Sequence, residues 1–230
     1  MPDHHPPPTL SIIVPVLNEA AGISDLLACL APLRVCGAEV IVVDGGSSDA
    51  SLALCADRCD RLLQGEPGRA LQMNLGAAQA RAPTLLFLHA DTRLPEGADM
   101  LVASTITGGA DWGRFDVQIS GHSALLPMIA RLMNLRSRWT GIATGDQAIF
   151  VRRDLFQRLG GFAEQPLMED IELSRRLLRT ARPACLRARV TTSGRRWDTR
   201  GAWRTVWLMW TLRWRYWRGT PAETLARAYR

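Results

Sequence analysis

Acidic and polar side chains follow three short apolar runs of the sequence, at the point where each run ends. They are Glu19 after Leu10–Val14, Asp44 after Glu39–Val43, and His89 and Asp91 after Thr84–Leu88. Carboxylates can hold a divalent cation or accept hydrogen bonds from a ligand, and the same residue types also cap helices. We predict a ligand role for Asp44 and Asp91, and a helix-capping role for Ser48 and Asp49.

The apolar runs are typical of buried strands, and segments with helical spacing separate them. Ile23, Leu26, Leu27 and Leu30, for example, recur at the spacing of one helix face. This alternation predicts βαβ units, and therefore an α/β fold with a Rossmann-like, mostly parallel sheet flanked by helices. Because ligands bind beyond the carboxyl ends of such strands, the polar residues are expected to meet at one edge of the sheet.

The composition, 47% hydrophobic and 22% charged, is that of a globular protein and excludes a disordered chain or a collagen-like fibre. All 28 basic residues are arginines, which pair bidentately with phosphate and carboxylate, so anionic ligands are expected. The 22 acidic residues are interspersed among them, which argues against a nucleic-acid partner. Five cysteines without CxxC spacing favour a reduced, cytoplasmic protein, and no apolar run reaches the roughly 18 residues of a membrane span.

Four motifs in series extend this interpretation. Along the chain they are SIIVPVLNEA, VIVVDGGSSDAS, GRALQMNLGAAQA and LFLHADT. With the later motifs described below, they resemble a family 2 glycosyltransferase of the GT-A fold from about Leu10 to Trp197. Within that family the sequence is most similar to the small bacterial transferases associated with radical-SAM or selenoprotein-type neighbours, some of them linked to arsenosugar synthesis. The resemblance implies a nucleotide-sugar donor.

The domain organisation follows from the same pattern. Residues 10–107 are expected to form the nucleotide-sugar half, and residues 108–197 the acceptor half of one compact unit, because the regular alternation stops at Gly108-Gly109. Residues 1–9 lack the basic and apolar segments of a signal peptide and are expected to be a disordered tail.

The resemblance assigns the donor-binding residues. Asp44 accepts a hydrogen bond from the base, and Arg69 contacts the base as well. Uracil suits this pair, because it offers one N–H donor between two carbonyl acceptors, so the donor is expected to be UDP-linked. Pro15 and Glu19 are expected near the uridine. Asn74 matches the N-x-G of the same motif and either contacts the donor or belongs to a polar turn of a helix packed on the sheet.

The metal motif differs from the family pattern. Family members usually carry Asp-x-Asp after the fourth strand, where this sequence has His89-Ala90-Asp91. The resemblance implies that Asp91 contacts a divalent ion that bridges the diphosphate, and hard oxygen ligands suit Mg²⁺ or Mn²⁺. His89 is either a second metal ligand or a hydrogen-bonding partner of the ribose or a backbone carbonyl, and we favour the second role.

The second half is expected to supply the catalytic base. Glu169-Asp170 follow the loop Gly160-Gly161-Phe162, and this pairing resembles the family's ED motif. It implies inversion, with Asp170 taking the proton of the acceptor hydroxyl in one displacement. Acidic residues at a helix start also interact favourably with the helix dipole, which is the alternative explanation.

Two further segments are expected at the acceptor side. Asp146, in Gly145-Asp146-Gln147, resembles the family segment that lines the acceptor site, although a plain turn explains it equally well. Ser193–Trp197 resembles the Q-x-x-R-W motif of part of the family, with serine in place of glutamine. In that motif Arg196 is expected to reach the diphosphate and Trp197 to wall the acceptor pocket.

Two other functions were weighed against glycosyl transfer. A nucleotidyltransferase requires a glycine-rich basic loop after the first strand, where this chain has Pro15–Glu19. A non-catalytic nucleotide-sugar-binding or scaffold protein is favoured by the departures at His89 and Ser193. The three aspartates retained at the donor, metal and base positions argue against it.

Residues 198–230 are predicted to form an amphipathic helical extension. Its tryptophans recur at steps of four, three, four and three, and arginines flank them: Trp203, Trp207, Trp210, Trp214 and Trp217. The stripe either docks on the catalytic domain or a second copy, which we favour, or lies in a membrane interface at the inner face of the cell membrane. The second case would suit a lipid-linked rather than a small-molecule acceptor.

Overall fold

A computed structural model describes residues 7–229, so most of the predicted tail lies outside the described residues. The strands are β1 Leu10–Val16, β2 Ala38–Asp44, β3 Arg61–Gln64, β4 Thr84–Phe87, β5 Thr92–Arg93, β6 Trp112–Ser120, β7 Phe150–Arg152 and β8 Ala184–Ser193. The helices are α1 Ile23–Val35, α2 Ser51–Cys55, α3 Arg69–Gln79, α4 Ala98–Thr107, α5 Leu126–Thr140, α6 Arg153–Arg158, α7 Glu169–Leu177, α8 Arg195–Arg200, α9 Ala202–Trp217 and α10 Ala222–Tyr229. Gly145–Gln147 forms a single 3-10 turn.

The strands form one eight-stranded sheet within the described chain, in the order β3-β2-β1-β4-β7-β6-β8-β5. The neighbours from β3 to β4 are parallel, and β6 is parallel to β8. The strand β7 is antiparallel to both of its neighbours, and β5 is antiparallel to β8. The predicted α/β fold with a mostly parallel sheet is confirmed, and β7 joins its first half to its second.

Helices cover both faces of the sheet. Alternate residues of each strand point towards opposite faces, so each face has its own core. Ile12 and Val40 pack towards α1 and α4, whereas Ile13 and Ile41 pack towards α3, α6 and α7. The closest approach is at Gly76 of α3, where a Cβ atom would lie 2.5 Å from Cγ2 of Ile13. Glycine is therefore required there for α3 to lie on the sheet.

The sequence pattern predicts that the first strand ends at Pro15 and that a helix begins at Glu19, and both predictions need correction. Pro15 does not end the strand: it is buried within β1, opposite Val43 of β2. The carbonyl of Ile13 accepts a hydrogen bond from Leu88 on the β4 side, and the carbonyl of Val16 accepts one from Gly45 on the β2 side. Alternation then directs the nitrogen of Pro15 towards β4, beyond the last paired residue, where no N–H is needed.

The helix predicted from Glu19 begins instead at Ile23. The N–H groups of Glu19 and Ala20 donate to side chains of the loop after β2, Ser51 Oγ and Asp49 Oδ2. The prediction that Ser48 caps α2 is also wrong, because its N–H and hydroxyl both donate to Asn18 Oδ1. The loops that follow β1 and β2 are thus tied to each other.

Candidate active site

Asp44 ends β2 at the predicted edge and is only 2% exposed. Its Oδ2 accepts hydrogen bonds from the N–H groups of Gly46 and Ser47, both at 3.0 Å. Its Oδ1 is buried and has no hydrogen-bond partner in the described chain. A buried carboxylate oxygen left unpaired is costly, so Asp44 is positioned to accept a hydrogen bond from a bound ligand.

Gln72 of α3 supports this edge, a role that sequence analysis missed. Its Nε2 donates to the carbonyls of Val16 and Val43, at 2.8 Å each, and so closes the ends of β1 and β2 together. A Cβ atom at Gly45 would lie 3.0 Å from the Gln72 amide. The backbone leading into the Asp44 loop is therefore held by a buried side chain.

Glu19 and Asp91 lie near each other on the same edge. Burial raises the pKa of Glu19, an effect that Arg195 opposes and the charge of Asp91 reinforces. Nη2 of Arg195 lies 3.8 Å from Oε2 of Glu19. Asp91 is exposed, and its Oδ1 accepts a hydrogen bond of 3.3 Å from Thr92. Asp91 therefore offers an accessible carboxylate beyond the carboxyl end of β4.

His89 pairs with Asp146. Its Nδ1 lies 3.3 Å from Oδ1 of Asp146, and the backbone of Gly145 approaches so closely that a Cβ there would lie 2.3 Å from the ring. Burial opposes ionisation of Asp146, but the hydrogen bond from His89 and the charges of Arg69 and Arg196 keep its pKa below the usual value. The contact fits the predicted hydrogen-bonding role of His89, with a carboxylate as its partner, and a metal-binding histidine commonly makes the same contact through its second nitrogen.

The donor set fits a divalent ion held mainly by its substrate. In residues 7–229 no three His, Cys, Asp or Glu side chains are grouped closely enough to hold a metal ion by themselves. Mg²⁺ and similar ions commonly bind through one or two carboxylates and complete their coordination with substrate phosphates and water. The exposed carboxylate of Asp91 fits that mode.

Asp170 lies in the first turn of α7. Its Oδ2 accepts a hydrogen bond from the N–H of Gly145 at 2.8 Å, and its Oδ1 accepts one from Ile171 at 2.7 Å. Burial raises the pKa of Asp170, and these two hydrogen bonds offset only part of the rise. Burial and the neighbouring Asp170 also raise the pKa of Glu169. A carboxylate with a raised pKa is a better proton acceptor.

Arg69 begins α3 and faces this acidic group. Arg69 is exposed at the surface, and partial desolvation disfavours its charge, but the charges of Glu169, Tyr229, Asp146 and Asp170, in decreasing order, raise the pKa of Arg69. The guanidinium therefore lies among the acidic side chains of the second half. Its predicted contact with the base stays a prediction.

Asn74 has a structural role that favours the second of its two predicted functions. Its Nδ2 donates to the carbonyl of Phe162, and its Oδ1 accepts from the N–H of Phe162, both at 2.9 Å. Gly161 has a φ of +73°, and a Cβ there would lie 2.6 Å from Oδ1 of Asn74. The amide thus fixes the glycine loop that precedes α7, and the structure favours this role over a direct donor contact.

Arg196 lies under the C-terminal helix. Its guanidinium carbon is 4.0 Å from the ring centroid of Tyr229, and its Nη1 is buried without a hydrogen-bond partner in the described chain. The charge of Arg196 lowers the pKa of Asp146, so the two side chains lie near each other. An unpaired buried donor is suited to an anionic ligand. Trp197 follows on α8, half-buried, and its acceptor role stays a prediction.

Two residues near the cleft were missed by sequence analysis. Nε and Nη2 of Arg136, on α5, are buried without a hydrogen-bond partner in the described chain. Burial lowers the pKa of Arg136, and the charges of Asp170 and Asp146 offset part of that change. Tyr229, on α10, interacts with Arg196 and Arg69, although burial still raises its pKa. No local motif marks either residue, because distant segments bring both to the site.

A narrow pocket lies between the two halves, with a largely apolar floor beneath the acidic groups. Its lining consists of Met73, Phe87, His89, Gly145, Ile149, Phe162, Glu169 and Asp170. In comparison with known proteins, the sequence model for glycosyl transferase family 2 matches residues 11–159. The chain belongs to glycosyl transferase family 2.

Relatives of this family 2 protein include the PGL/p-HBAD biosynthesis glycosyltransferase of Mycobacterium bovis strain BCG, which is 30% identical over 173 residues. The match covers 67% of this chain and 63% of that protein. The same similarity holds for the PGL/p-HBAD biosynthesis glycosyltransferase of Mycobacterium tuberculosis strain H37Ra. The chain therefore spans less than two thirds of the length of these relatives.

Two solved structures share the fold of the family 2 protein. The S. aureus TarS fragment 1–349, in complex with UDP-GlcNAc, superposes with a TM-score of 0.66 at 22% identity, covering 80% of this chain and 58% of that one. The mannosyltransferase PcManGT of Pyrobaculum calidifontis, in complex with GDP-Man and Mn²⁺, has a TM-score of 0.66 at 19% identity, covering 97% and 69%. Between residues 7 and 229, none of the helices combines the length and the apolar character needed to cross a bilayer.

Proposed function

We propose that this protein transfers a sugar from a UDP-linked donor to a hydroxyl acceptor, with inversion and with the help of a divalent metal ion. The observation that carries the proposal is a set of three aspartates, each in a different chemical state, at the carboxyl end of β2, just beyond β4 and in the lining of the pocket. Asp44 is buried with one free oxygen, Asp91 is exposed, and Asp170 has a raised pKa. Membership of glycosyl transferase family 2 supports the same reaction class.

The donor is proposed to bind along the ends of β1, β2 and β4. The free Oδ1 of Asp44 would accept the N–H of the base, because it is the unpaired buried acceptor on this edge. Glu19 would lie beside the uridine, and the buried Pro15 would shape the strand end beneath it. The free Nη1 of Arg196 would donate to the diphosphate. Similar structures in complex with UDP-GlcNAc and GDP-Man support a nucleotide-sugar donor.

The chemical step is proposed to be a single displacement. Asp170 takes the proton of the acceptor hydroxyl while the oxygen of that hydroxyl forms a bond to the anomeric carbon. The bond between that carbon and the diphosphate oxygen breaks, and its electron pair leaves with the nucleoside diphosphate. The N–H groups of Gly145 and Ile171 fix both oxygens of Asp170, which orients the carboxylate before the acceptor binds. Asp146 and Trp197 are proposed to line the acceptor side.

A bound Mg²⁺ or Mn²⁺ would neutralise the charge that develops on the leaving diphosphate, and Asp91 is the residue proposed to hold it. The fit of Asp91 to a substrate-completed site supports this assignment, as does the Mn²⁺ in the PcManGT complex. His89 is proposed to act through Asp146 instead. The further similarity to the radical-SAM/selenodomain-associated, arsenosugar-type transferases rests on the sequence motifs and remains part of the proposal.

A panel of nucleotide sugars tests the proposed function. UDP-glucose, UDP-GlcNAc and GDP-mannose are added with and without Mn²⁺, and thermal unfolding and nucleotide release are measured. A UDP-sugar at 100 times its Kd should stabilise the protein by about 2.7 kcal/mol, which shifts the Tm by several degrees. The shift should depend on Mn²⁺. No shift with any UDP-sugar would remove the proposed donor.

The variant Asp170→Asn separates catalysis from binding in the same assay. It should keep the donor-induced shift and lose nucleotide release by roughly 10²-fold or more, as expected when a general base is removed. If the unaltered protein binds the donor but releases no nucleotide with any acceptor offered, a non-catalytic nucleotide-sugar-binding protein becomes the better description. Near-normal turnover in Asp170→Asn would remove this residue from the base role.

A further inference from the structure

The helix α9 has two opposite apolar faces. One is covered: Thr205 and Leu212 are buried, and Leu208 and Tyr216 pack with Met168 and with Leu225 of α10. This face attaches α9 to the body of the protein. It explains the fixed position of the helix without any contribution from its tryptophans.

The other face is the Trp face, which we define as Trp203, Trp207, Trp210, Trp214 and Trp217. At 100° per residue these five side chains fall within an arc of about 80°, centred opposite Leu212. Their exposed fractions run from 58% to 76%. The interpretation that the stripe docks on the catalytic domain is therefore wrong for this chain. A row of five exposed indoles is far more apolar surface than scattered single residues would give.

The charged side chains of α9 and its C-terminal cap all have one sign. Arg204 and Arg218 are exposed, and Arg213 and Arg215 are half-buried, while Ala202–Trp217 contains no acidic residue. The guanidinium of Arg218 lies 5.3 Å from the ring centroid of Trp214. The arginines thus border the tryptophans, so the surface is apolar at its centre and cationic at its rim.

We propose that the Trp face of α9 binds the headgroup region of an anionic lipid bilayer. Indole rings favour that depth because they are apolar with one N–H, and the arginines meet the phosphates of anionic lipids. At 16 residues, α9 lies along the surface rather than across it. A second copy fits less well: two-fold pairing of this face would bring the four arginines of each helix together without an acidic residue of α9 between them.

The helix α9 packs close to the proposed catalytic site. Met168, under the covered face of α9, immediately precedes Glu169 and Asp170, and Nε2 of Gln165 lies 3.2 Å from the hydroxyl of Tyr216. The loop that leads to the proposed base is therefore packed against the membrane-binding helix. A lipid-linked acceptor suits this arrangement; that last step rests on the proposed function, whereas bilayer binding does not.

Vesicle co-sedimentation of the full chain, without donor or metal, tests the proposal. Vesicles of phosphatidylcholine alone are compared with vesicles that also contain phosphatidylglycerol, at low and high salt. The protein should sediment with the anionic vesicles, and added salt should weaken that binding. The double variant Trp207→Ala/Trp210→Ala should bind at least about tenfold more weakly, because both indoles are removed from the lipid. Both positions are exposed, so the far-ultraviolet circular dichroism should not change.

Matched variants decide between the Trp face and other surfaces. Trp139→Ala removes a tryptophan that is 81% exposed on α5, and it should leave binding unchanged. Arg204→Gln/Arg218→Gln should reduce the preference for anionic vesicles while keeping the fold. The proposal is overturned if the full-length protein stays in the supernatant at low salt. It is also overturned if Trp139→Ala loses as much vesicle binding as Trp207→Ala/Trp210→Ala. A dimer in sedimentation velocity that Trp207→Ala/Trp210→Ala dissociates would assign the face to a second copy instead.

Discussion

The Nδ1 atom of His89 lies 3.3 Å from a carboxylate oxygen of Asp146. The two residues come from opposite halves of the chain, one after β4 and the other in the turn before β7. Their pairing joins the proposed donor edge to the proposed acceptor side. It also leaves Asp91 as the carboxylate at the position where the family carries its metal-binding aspartate.

His89 and Asp91 should therefore respond differently to substitution. His89→Asn should change the Mn²⁺ dependence of UDP binding by less than about twofold, because we propose that His89 positions Asp146 and does not hold the ion. Asp91→Ala should lose most of that dependence, since the carboxylate proposed to hold the ion is gone. Isothermal titration of UDP with and without Mn²⁺ measures both. A His89→Asn protein that no longer responds to Mn²⁺ would make His89 a metal ligand.

The activity should fall on acidification at a higher pH than an ordinary aspartate would give. Burial raises the pKa of Asp170 above the usual value near 3.9, so the carboxylate is protonated, and inactive as a base, over a wider acidic range. The pH profile of kcat at saturating donor measures this fall in activity, which is the acid limb of the profile. Asp170→Glu should shift the limb while retaining some activity. A limb that is unchanged in Asp170→Glu would point to another base.

Sequence patterns predicted the residues whose roles depend on their own strand or helix end. Asp44 and Asp91 follow apolar runs, so the rules of parallel sheets predict them at one edge of the sheet, whereas Asp170 is predicted only as part of a helix start. β8 was not predicted, because its arginine-rich segment is only partly buried and lacks a strongly apolar pattern. Arg136 and Tyr229 were missed for a different reason: their positions depend on how α5 and α10 pack against the rest of the chain.

Arg136 should influence Asp170 more than it influences stability. Arg136→Met removes a buried cation near Asp170 and Asp146, so the pKa of Asp170 should rise and the acid limb of kcat should move to higher pH. Because two guanidinium nitrogens are buried without partners, the free energy of unfolding should stay the same or increase. Arg131→Met, at an exposed position of the same helix, is the control and should change neither quantity. A large loss of stability in Arg136→Met would contradict this role.

Glu39 should contribute to stability at neutral pH. It is 1% exposed, and burial opposes its charge, but hydrogen bonds from Ser11 and from the backbone and side chain of Arg81 keep its pKa below the usual value. A lowered pKa means that this stabilisation is present above about pH 4.3 and is lost as the pH falls through the lower value in the folded chain. Glu39→Gln should reduce the free energy of unfolding by about 2 kcal/mol at pH 7.

Urea unfolding at pH 7 and at pH 3.5 measures the effect of Glu39→Gln. The difference between the variant and the original protein should shrink at the lower pH. Glu66→Gln, at an exposed position, should leave the urea midpoint unchanged at both values. An equal difference at both pH values would show that the charge of Glu39 is not what stabilises the fold.

The paired hydrogen bonds between Asn74 and Phe162 join residues 88 positions apart in the chain. They anchor the glycine loop, and through it the start of α7, to α3 in the first half of the chain. A chimera that takes residues 160–170 from a relative with a different acceptor specificity would therefore also need a matching residue at position 74. Chimeric enzymes built by joining whole halves near residue 108 would break this anchor unless both parents carry the same asparagine and glycine pair.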